Sequence, residues 1–328
     1  MYYIILDEIQ RVEGFEFVLN DFLYEKNMDV YVTGSNSKFL SSDIITEFRG
    51  RGDEIRVYPL SFSELCSAYD GDISSAWKDY ITYGGLPLVF FIDTEEEKVS
   101  YLNNQKDNVY LNDVVERYKI SNDKELKELA IMLSSGIGSL TNPLKLYNTF
   151  KSKNTNTSIT DKTIYNYLNY LEDAFLIEKA LRYDIKGKKY IETPYKYYFT
   201  DIGIRNAFIG FRQIEESHIM ENIIYIELKR RGYNVDVGVV EIREKNNRKK
   251  IEIDFVINKG YDRYYIQSAL NIDDDEKKEQ ELRPLVNVDD FFKRIIIVGK
   301  DIPRYKNDQG ILIMGIYDFL LNDNSLDY

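Results

Sequence analysis

Cysteine and histidine are almost missing from this chain: Cys66 and His218 are the single examples of each among 328 residues. One cysteine excludes an internal disulfide framework and leads to the expectation of a reducing, cytoplasmic setting. One histidine with one cysteine leaves a single chain short of the ligands of a structural zinc site. No apolar run approaches the roughly 18 residues that a membrane helix needs, so no membrane partner is expected. After Met1 the sequence enters an apolar strand at Tyr2 rather than the basic and apolar regions of a secretory leader. The pattern G-x-x-x-x-G-K-[ST] occurs nowhere, which removes the backbone amides and lysine that hold a nucleotide's terminal phosphates. Positive charge is also scarce: 43 Lys and Arg face 55 Asp and Glu, and a net charge of −12 works against nonspecific nucleic-acid affinity.

What remains is ample for folding. The length allows two or three domains with ordinary cores, and 44% apolar residues can fill them. Tyr2–Leu6 reads as a buried strand ending in Asp7-Glu8. Phe15, Val18, Leu19, Phe22 and Leu23 then recur at helical spacing. Val30–Val32 form a short strand running into Thr33-Gly34-Ser35-Asn36, and a further strand is expected at Glu54–Val57. Strand, helix and strand in that order predict a parallel sheet. Ser61, three residues before Glu64, predicts a capping box. From about Ser63 to Arg117 the pattern is helical, broken at Tyr83-Gly84-Gly85-Leu86-Pro87.

Between 121 and 205, helices precede two alternating segments around Leu181–Tyr183 and Tyr197–Phe199, joined by the basic turn Lys186-Gly187-Lys188-Lys189. Three helices and a basic hairpin outline a winged helix. With Ile164, Leu168 and Leu171 facing inward, Lys162, Tyr165, Asn166 and Asn169 form a separate stripe able to meet phosphates or base edges, and Lys186, Lys188 and Lys189 would form the wing. Glu172 and Asp173 on the same helix count against DNA, and a solvated helix face or a protein-binding surface would show the same stripe. From about Gly210 come a helix at Ile219–Arg231 and several strands. In the clearest of these, Ile251, Ile253, Phe255 and Ile257 are expected on one face. An acidic helical stretch follows from Asp273 to about Leu285.

Two acids at a strand end suit phosphoryl transfer: Asp7 would join a magnesium shell and Glu8 would orient the attacking water. A strand end carrying two solvated acids is the plainer alternative. Ser35 or Asn36 would stand between that motif and the phosphate, and Arg51 is a candidate arginine finger for a neighbouring subunit, which would require a dimer or ring. His218 before its helix reads as a cap or packing residue, and Cys66 beside Leu65 as core.

The segments ILDEIQ, VYVTGSNSKFL, FRGR, YPLSFSEL, YGGLP, YYFTDIGIRNAF and HIMENIIYIELKRRGY occur in that order. Together they resemble the hallmark segments of prokaryotic AAA-type ATPases with a C-terminal domain of unknown function. The resemblance implies a multidomain α/β chain: a RecA-like P-loop core (1–62), a helical lid (63–120), a winged helix (121–205) and a restriction-endonuclease-like domain (206–328). It also implies ATP and magnesium as cofactors, with Asp7 and Glu8 at the Walker B positions, Ser35 or Asn36 as the sensor and Arg51 in the arginine-finger segment. The family's phosphate loop has no counterpart here, so this chain is expected neither to bind ATP tightly nor to turn it over.

In the last domain, Glu221, Asp254 and Gln267-Ser268-Ala269 fall where nucleases of the PD-(D/E)xK type hold magnesium. Glutamine retains a carbonyl oxygen for the metal. Ala269 cannot replace the lysine that would activate water, so cleavage would need a migrated lysine such as Lys277 or Lys278. A degenerate nuclease fold is therefore expected. The alternatives to an ATPase-family role are a non-enzymatic DNA- or protein-binding module and a magnesium-dependent nuclease.

Overall fold

The computed structural model describes residues 1–9, 12–34, 52–153, 159–212, 215–244 and 247–327. Ser35, Asn36 and Arg51 lie outside them. Strands β1 (Tyr2–Leu6) and β2 (Met28–Val32) pair in parallel, joined by helix α1 (Phe15–Phe22), as the apolar spacing predicts, but β1 is not the buried strand expected, since Tyr2, Tyr3 and Ile5 are exposed. Ile9, Phe15 and Leu19 close a small core against Leu6, Phe22, Val30 and Val32. The strand expected at Glu54–Val57 does not form. Ile55 and Val57 are exposed there, while Arg56 is taken by a different partner: its guanidinium pairs with Glu178 at 2.6 Å and lies between the rings of Tyr58 and Phe175.

Ser61 and Glu64 make the predicted capping box at the start of α2 (Phe62–Ala68). Asp72 caps α3 (Ile73–Tyr83). After a 3-10 turn at Pro87–Phe91, α4 (Glu95–Asn104) continues through a π-helical stretch at Gln105–Leu111 into α5 (Asn112–Arg117). Helices α6 (Asp123–Ser135), α7 (Pro143–Lys153) and α8 (Asp161–Asp173) follow, and the last buries Ile164, Tyr167, Leu168 and Leu171.

The hairpin of β3 (Ile177–Asp184) and β4 (Lys189–Phe199) does not stand apart as a free wing. Its strands form one end of an eight-stranded mixed sheet, in the order β4-β3-β5-β6-β7-β8-β10-β9. The others are β5 (Asn234–Glu244), β6 (Asn247–Lys259), β7 (Asp262–Ala269), β8 (Lys293–Val298), β9 (Tyr305–Lys306) and β10 (Leu312–Gly315). Helices α9 (Ile202–Phe208), α10 (Glu216–Arg230), α11 (Asp275–Val286) and α12 (Ile316–Leu321) complete the chain.

Two cores separate across this sheet. One gathers Phe255, Ile257, Ile266, Ile295 and Met314 with Tyr225 and Leu228 of α10; the other gathers Ile253, Val256, Tyr265, Ile296 and Ile313 with Leu285 of α11. The expected single face of Ile251, Ile253, Phe255 and Ile257 is thus divided. The reason is a register shift: Asp236 pairs with Val256 but Gly238 with Ile253, so β6 carries one extra residue across the stretch that holds Asp254.

The helical half and the sheet meet at a buried joint built from the glycines of the Tyr83–Pro87 break. Asp201, at the end of β4, accepts from Gly85 N at 2.7 Å and from Ile204 N at 2.9 Å. Gly84 has φ +77°, and a Cβ on it would lie 2.3 Å from Asp201 Oδ1; one on Gly203 would lie 2.0 Å from the carbonyl oxygen of Tyr83. Asn206 donates to the carbonyls of Ile81 and Thr82, and the fully buried Arg205 donates to that of Ser134.

Burial pushes the Asp201 carboxyl up to about 6, against the opposing pull of the amides of Gly85, Ile204 and Gly203. From its ordinary value of 3.8 to about 6, the folded chain therefore holds a proton that the unfolded chain releases, so stability falls as pH rises through that window and levels above it. An Asn at this position stays neutral throughout. Relative to Asp201→Asn, the parent is expected to lose about 2 kcal/mol between pH 4 and pH 6.5, read by urea denaturation at each pH. A constant difference across that range would exclude the assignment.

Candidate functional site

Two groups of acids stand where the sequence placed chemistry. The first lies at the carboxyl ends of β1 and β2, the end at which open parallel sheets hold ligands. Thr33, just past β2, donates its hydroxyl to Asp7 Oδ1 and accepts from Glu8 N at 3.2 Å. Glu8 sits in the left-handed region with φ 50°, which β1 enters as it turns away from the sheet. Asp7 is exposed, and its carboxylate is an acceptor free to face solvent, as a magnesium ligand must be. The strand pairing thus brings Asp7, Glu8 and Thr33 together; the candidate partners Ser35, Asn36 and Arg51 are outside the described residues. No element among the described residues supplies a glycine-rich cradle for phosphates.

The second group lies on the α10 side of the large sheet. Glu221 projects from α10, while Glu252 and Asp254 project from β6. The Lys196 ammonium on β4 reaches all three: 2.8 Å to Glu221 Oε1, 2.6 Å to Glu252 Oε1 and 3.8 Å to Asp254 Oδ1. Tyr198, two residues along and so on the same face of β4, donates to Glu221 Oε1 at 2.6 Å. Asp254 Oδ2 accepts from Ser268 N at 2.8 Å, and Gln267 Oε1 accepts from Asp254 N at 3.4 Å. The loop after α6 covers the remaining side: Gly138, at φ +69°, is so near that a Cβ on it would lie 3.2 Å from Glu221 Oε2.

Alignment of α10 on β4 is fixed by the neighbour of Glu221. Asn222 accepts from Phe199 N and donates to Phe199 O, both at 2.7 Å, filling both backbone groups of the last residue of β4. Burial alone would lower the Lys196 ammonium; Glu221, Asp254 and Glu252 outweigh it and hold the lysine charged. Burial and the nearby Glu221 raise the Asp254 carboxyl well above its usual range, with Lys196 and the Ser268 amide opposing. Burial raises the Tyr198 hydroxyl, and Glu221 adds to that rise.

The sequence-predicted residues Glu221 and Asp254 do converge, with Gln267 bound to the amide of Asp254. The cation among them, however, is Lys196, which periodicity treats as one more residue of an alternating strand. Lys277 and Lys278, the expected migrated lysines, are elsewhere on α11, the first exposed and the second half-buried. Ala269 is buried in the α11-side core. Lys162 and Tyr165 are exposed on α8, Asn166 and Asn169 are half-buried, and Lys186, Lys188 and Lys189 are exposed at the hairpin tip. No helix of the described residues is long and apolar enough to cross a membrane.

Comparison with known proteins gives these sites a family. Residues 1–66 match a sequence family described as an AAA domain, and residues 74–215 match one described as a domain of unknown function (DUF8612). An uncharacterized protein of Haemophilus influenzae is 37% identical over 324 residues, covering 97% of this chain and 77% of that protein. An uncharacterized protein of Methanocaldococcus jannaschii is 30% identical over 292 residues, covering 85% of this chain and 63% of that one. A Vibrio cholerae protein of known crystal structure is 14% identical with a TM-score of 0.25, over 99% of this chain and 89% of that one, a likeness too slight to carry an argument. The chain belongs to the same family as the Haemophilus protein, an AAA-type family in which an AAA domain segment is followed by a domain of unknown function.

Proposed function

We propose that this chain carries the acid-bearing part of an ATP-binding AAA domain joined to a partner-binding module, and that on its own it does not hold ATP tightly. The observation that carries the reading is the meeting of Asp7, Glu8 and Thr33 at the ends of two parallel strands, inside the segment that matches the AAA domain. Magnesium-bound ATP, where it binds, supplies the phosphoryl group together with the charge that offsets its negative oxygens. Asp7 is the residue suited to hold the metal, with Thr33 fixing its carboxylate, and Glu8 to orient a water. Ser35 or Asn36 in the sensor position and Arg51 as an arginine finger complete the assignment by resemblance, the last acting across a homo-oligomer.

Calorimetry with magnesium and ATP tests this on two proteins. The chain of 328 residues is expected to show no binding tighter than about 1 mM, and the full-length Haemophilus relative to bind at least tenfold more tightly, on the order of 100 μM or better. Sub-millimolar binding by this chain that disappears in Asp7→Ala would show a complete nucleotide site and sink the reading.

The partner read most directly from the surface is duplex DNA. Lys162 and Tyr165 stand outward on α8, and three lysines crowd the exposed tip of the β3–β4 hairpin. An open groove of about 420 Å³ along α7, lined by Asn142, Leu144, Lys145, Asn148, Thr149 and Ser152, adds hydrogen-bonding groups near the same helices. Phosphate contacts would make binding depend on salt. Anisotropy of a labelled duplex between 50 and 200 mM salt is expected to show a log–log slope that falls by roughly 3 when Lys186, Lys188 and Lys189 are all replaced by Ala. Absence of binding below about 100 mM salt would exclude DNA and leave a protein as the partner.

A further inference from the structure

We infer that Lys196 takes the place of the divalent cation at the nuclease-type acid cluster, leaving this site closed to metal and its domain without metal-dependent cleavage. The fold resemblance implies magnesium among Glu221, Asp254 and Gln267, and the residues present do not fit it.

A hard cation needs six or more oxygen ligands turned toward it at about 2.0–2.6 Å. Here one oxygen of each carboxylate already receives a hydrogen bond or the ammonium. Glu221 Oε1 receives both the Lys196 ammonium and the Tyr198 hydroxyl, and on the Oε2 side Gly138 approaches so closely that a Cβ there would lie 3.2 Å away. Glu252 Oε1 receives Lys196 as well. Asp254 Oδ2 receives the Ser268 amide, and Oδ1 faces the ammonium. Gln267, the remaining candidate ligand, presents its carbonyl oxygen to the amide of Asp254. No cluster of three or more His, Cys, Asp or Glu able to hold a metal occurs among the described residues.

Charge works in the same direction as geometry, because the ammonium already holds the carboxylates that a metal would need. A divalent ion beside these carboxylates would sit within a few ångströms of a buried ammonium, where repulsion is little screened. Lys196 is itself only 4% exposed. The lysine comes from β4, whereas the lysine of an active nuclease would come from β7, where Ala269 stands. It therefore reaches the cluster from the side that the acids face and acts as their counter-ion. In this role Lys196 is a positioning residue that binds α10, β4 and β6 together.

The test is Mn²⁺ titration of the full chain, followed by calorimetry and by the electron paramagnetic resonance of free Mn²⁺, on the parent and on Asp254→Asn, Lys196→Met and the double variant. Binding at Asp7 is separated from binding here because only the latter responds to Asp254→Asn, so the fate of the nucleotide reading does not decide this one. The parent is expected to show no Mn²⁺ binding that Asp254→Asn removes. Lys196→Met frees three carboxylates and is expected to gain binding at least about tenfold tighter than the parent's, lost again in the double variant. Asp254-dependent Mn²⁺ binding by the parent would overturn the inference, as would a folded Lys196→Met that binds no better than the parent. Should Lys196→Met not fold, the comparison of parent with Asp254→Asn decides alone.

Discussion

Everything downstream of the AAA-matching segment hangs on one buried carboxylate. Asp201 sits at the end of β4 and holds the amides of Gly85 and Ile204, thereby fastening the loop that ends α3 to the start of α9. The contact is possible only because Gly84, Gly85 and Gly203 carry no side chain: on each, a Cβ would fall within 2.5 Å of a neighbouring oxygen. Gly85 in turn accepts from Leu60 N, and Tyr80 donates to Leu60 O, so the segment leaving the AAA-matching region is tied to the same point. The space left over is a cavity of about 20 Å³, about enough for one water and far too small for a substrate. This is a structural knot whose lining is charged because unsatisfied amides at a buried loop cost more than one paired carboxylate.

From this knot the register of the acid cluster follows. Asp201 fixes the end of β4; Asn222 fixes α10 to Phe199, two residues before Asp201; Glu221 precedes Asn222, and Lys196 and Tyr198 precede Phe199. Each step is one or two residues, so an error in the docking of α10 would move Glu221 off the lysine at once. A buried set of charges is poor value as stabilisation, because desolvation consumes most of its attraction. What it supplies is selection of one arrangement: three carboxylates on two elements accept a single ammonium on a third, and alternative pairings of β4, β6 and α10 would leave charge uncompensated. The extra residue of β6 contributes here too, since it turns Phe255 and Ile257 toward the α10 side while Ile253 stays in the other core.

Local signals in the sequence were read well where the physics is local. The capping box at Ser61, the break at Gly84-Gly85, the helix of Glu221 and the hairpin with its basic turn all follow from spacing and turn chemistry. Distant partners decided the rest. Residues 54–57 read as a strand, but Arg56 is held by Glu178 and the ring of Phe175, more than a hundred residues away, as well as by the neighbouring ring of Tyr58. The division of the β6 face needs one extra residue opposite β5, and an alternating pattern cannot show it. The role of Lys196 is not legible locally because its partners are 25 to 58 residues away and because its strand reads as a wing. The signal present was a lysine between tyrosines on a strand otherwise buried toward its end: a charge in such a place needs a partner, and Glu221 with Asp254 had already been singled out.

Seen through these contacts, the segments that carry the family resemblance divide into two kinds. YPLSFSEL, YGGLP and TDIGIRNAF meet one another at the joint, and the start of α10 joins them through Asn222; their glycines, Asp201, Arg205 and Asn206 are explained by backbone contacts they make and by close approach. Their presence marks a shared architecture without marking a reaction. ILDEIQ is of the other kind. Asp7 makes its contact with a threonine at a strand end rather than with the core, is exposed, and stabilises little that the strand pairing does not already hold. The buried polar residues of the joint are recognisable by the backbone atoms they satisfy, whereas the contact of Asp7 is with the Thr33 hydroxyl, and its exposure at a strand end is what sets it apart from Asp201 and from the acids gathered around Lys196.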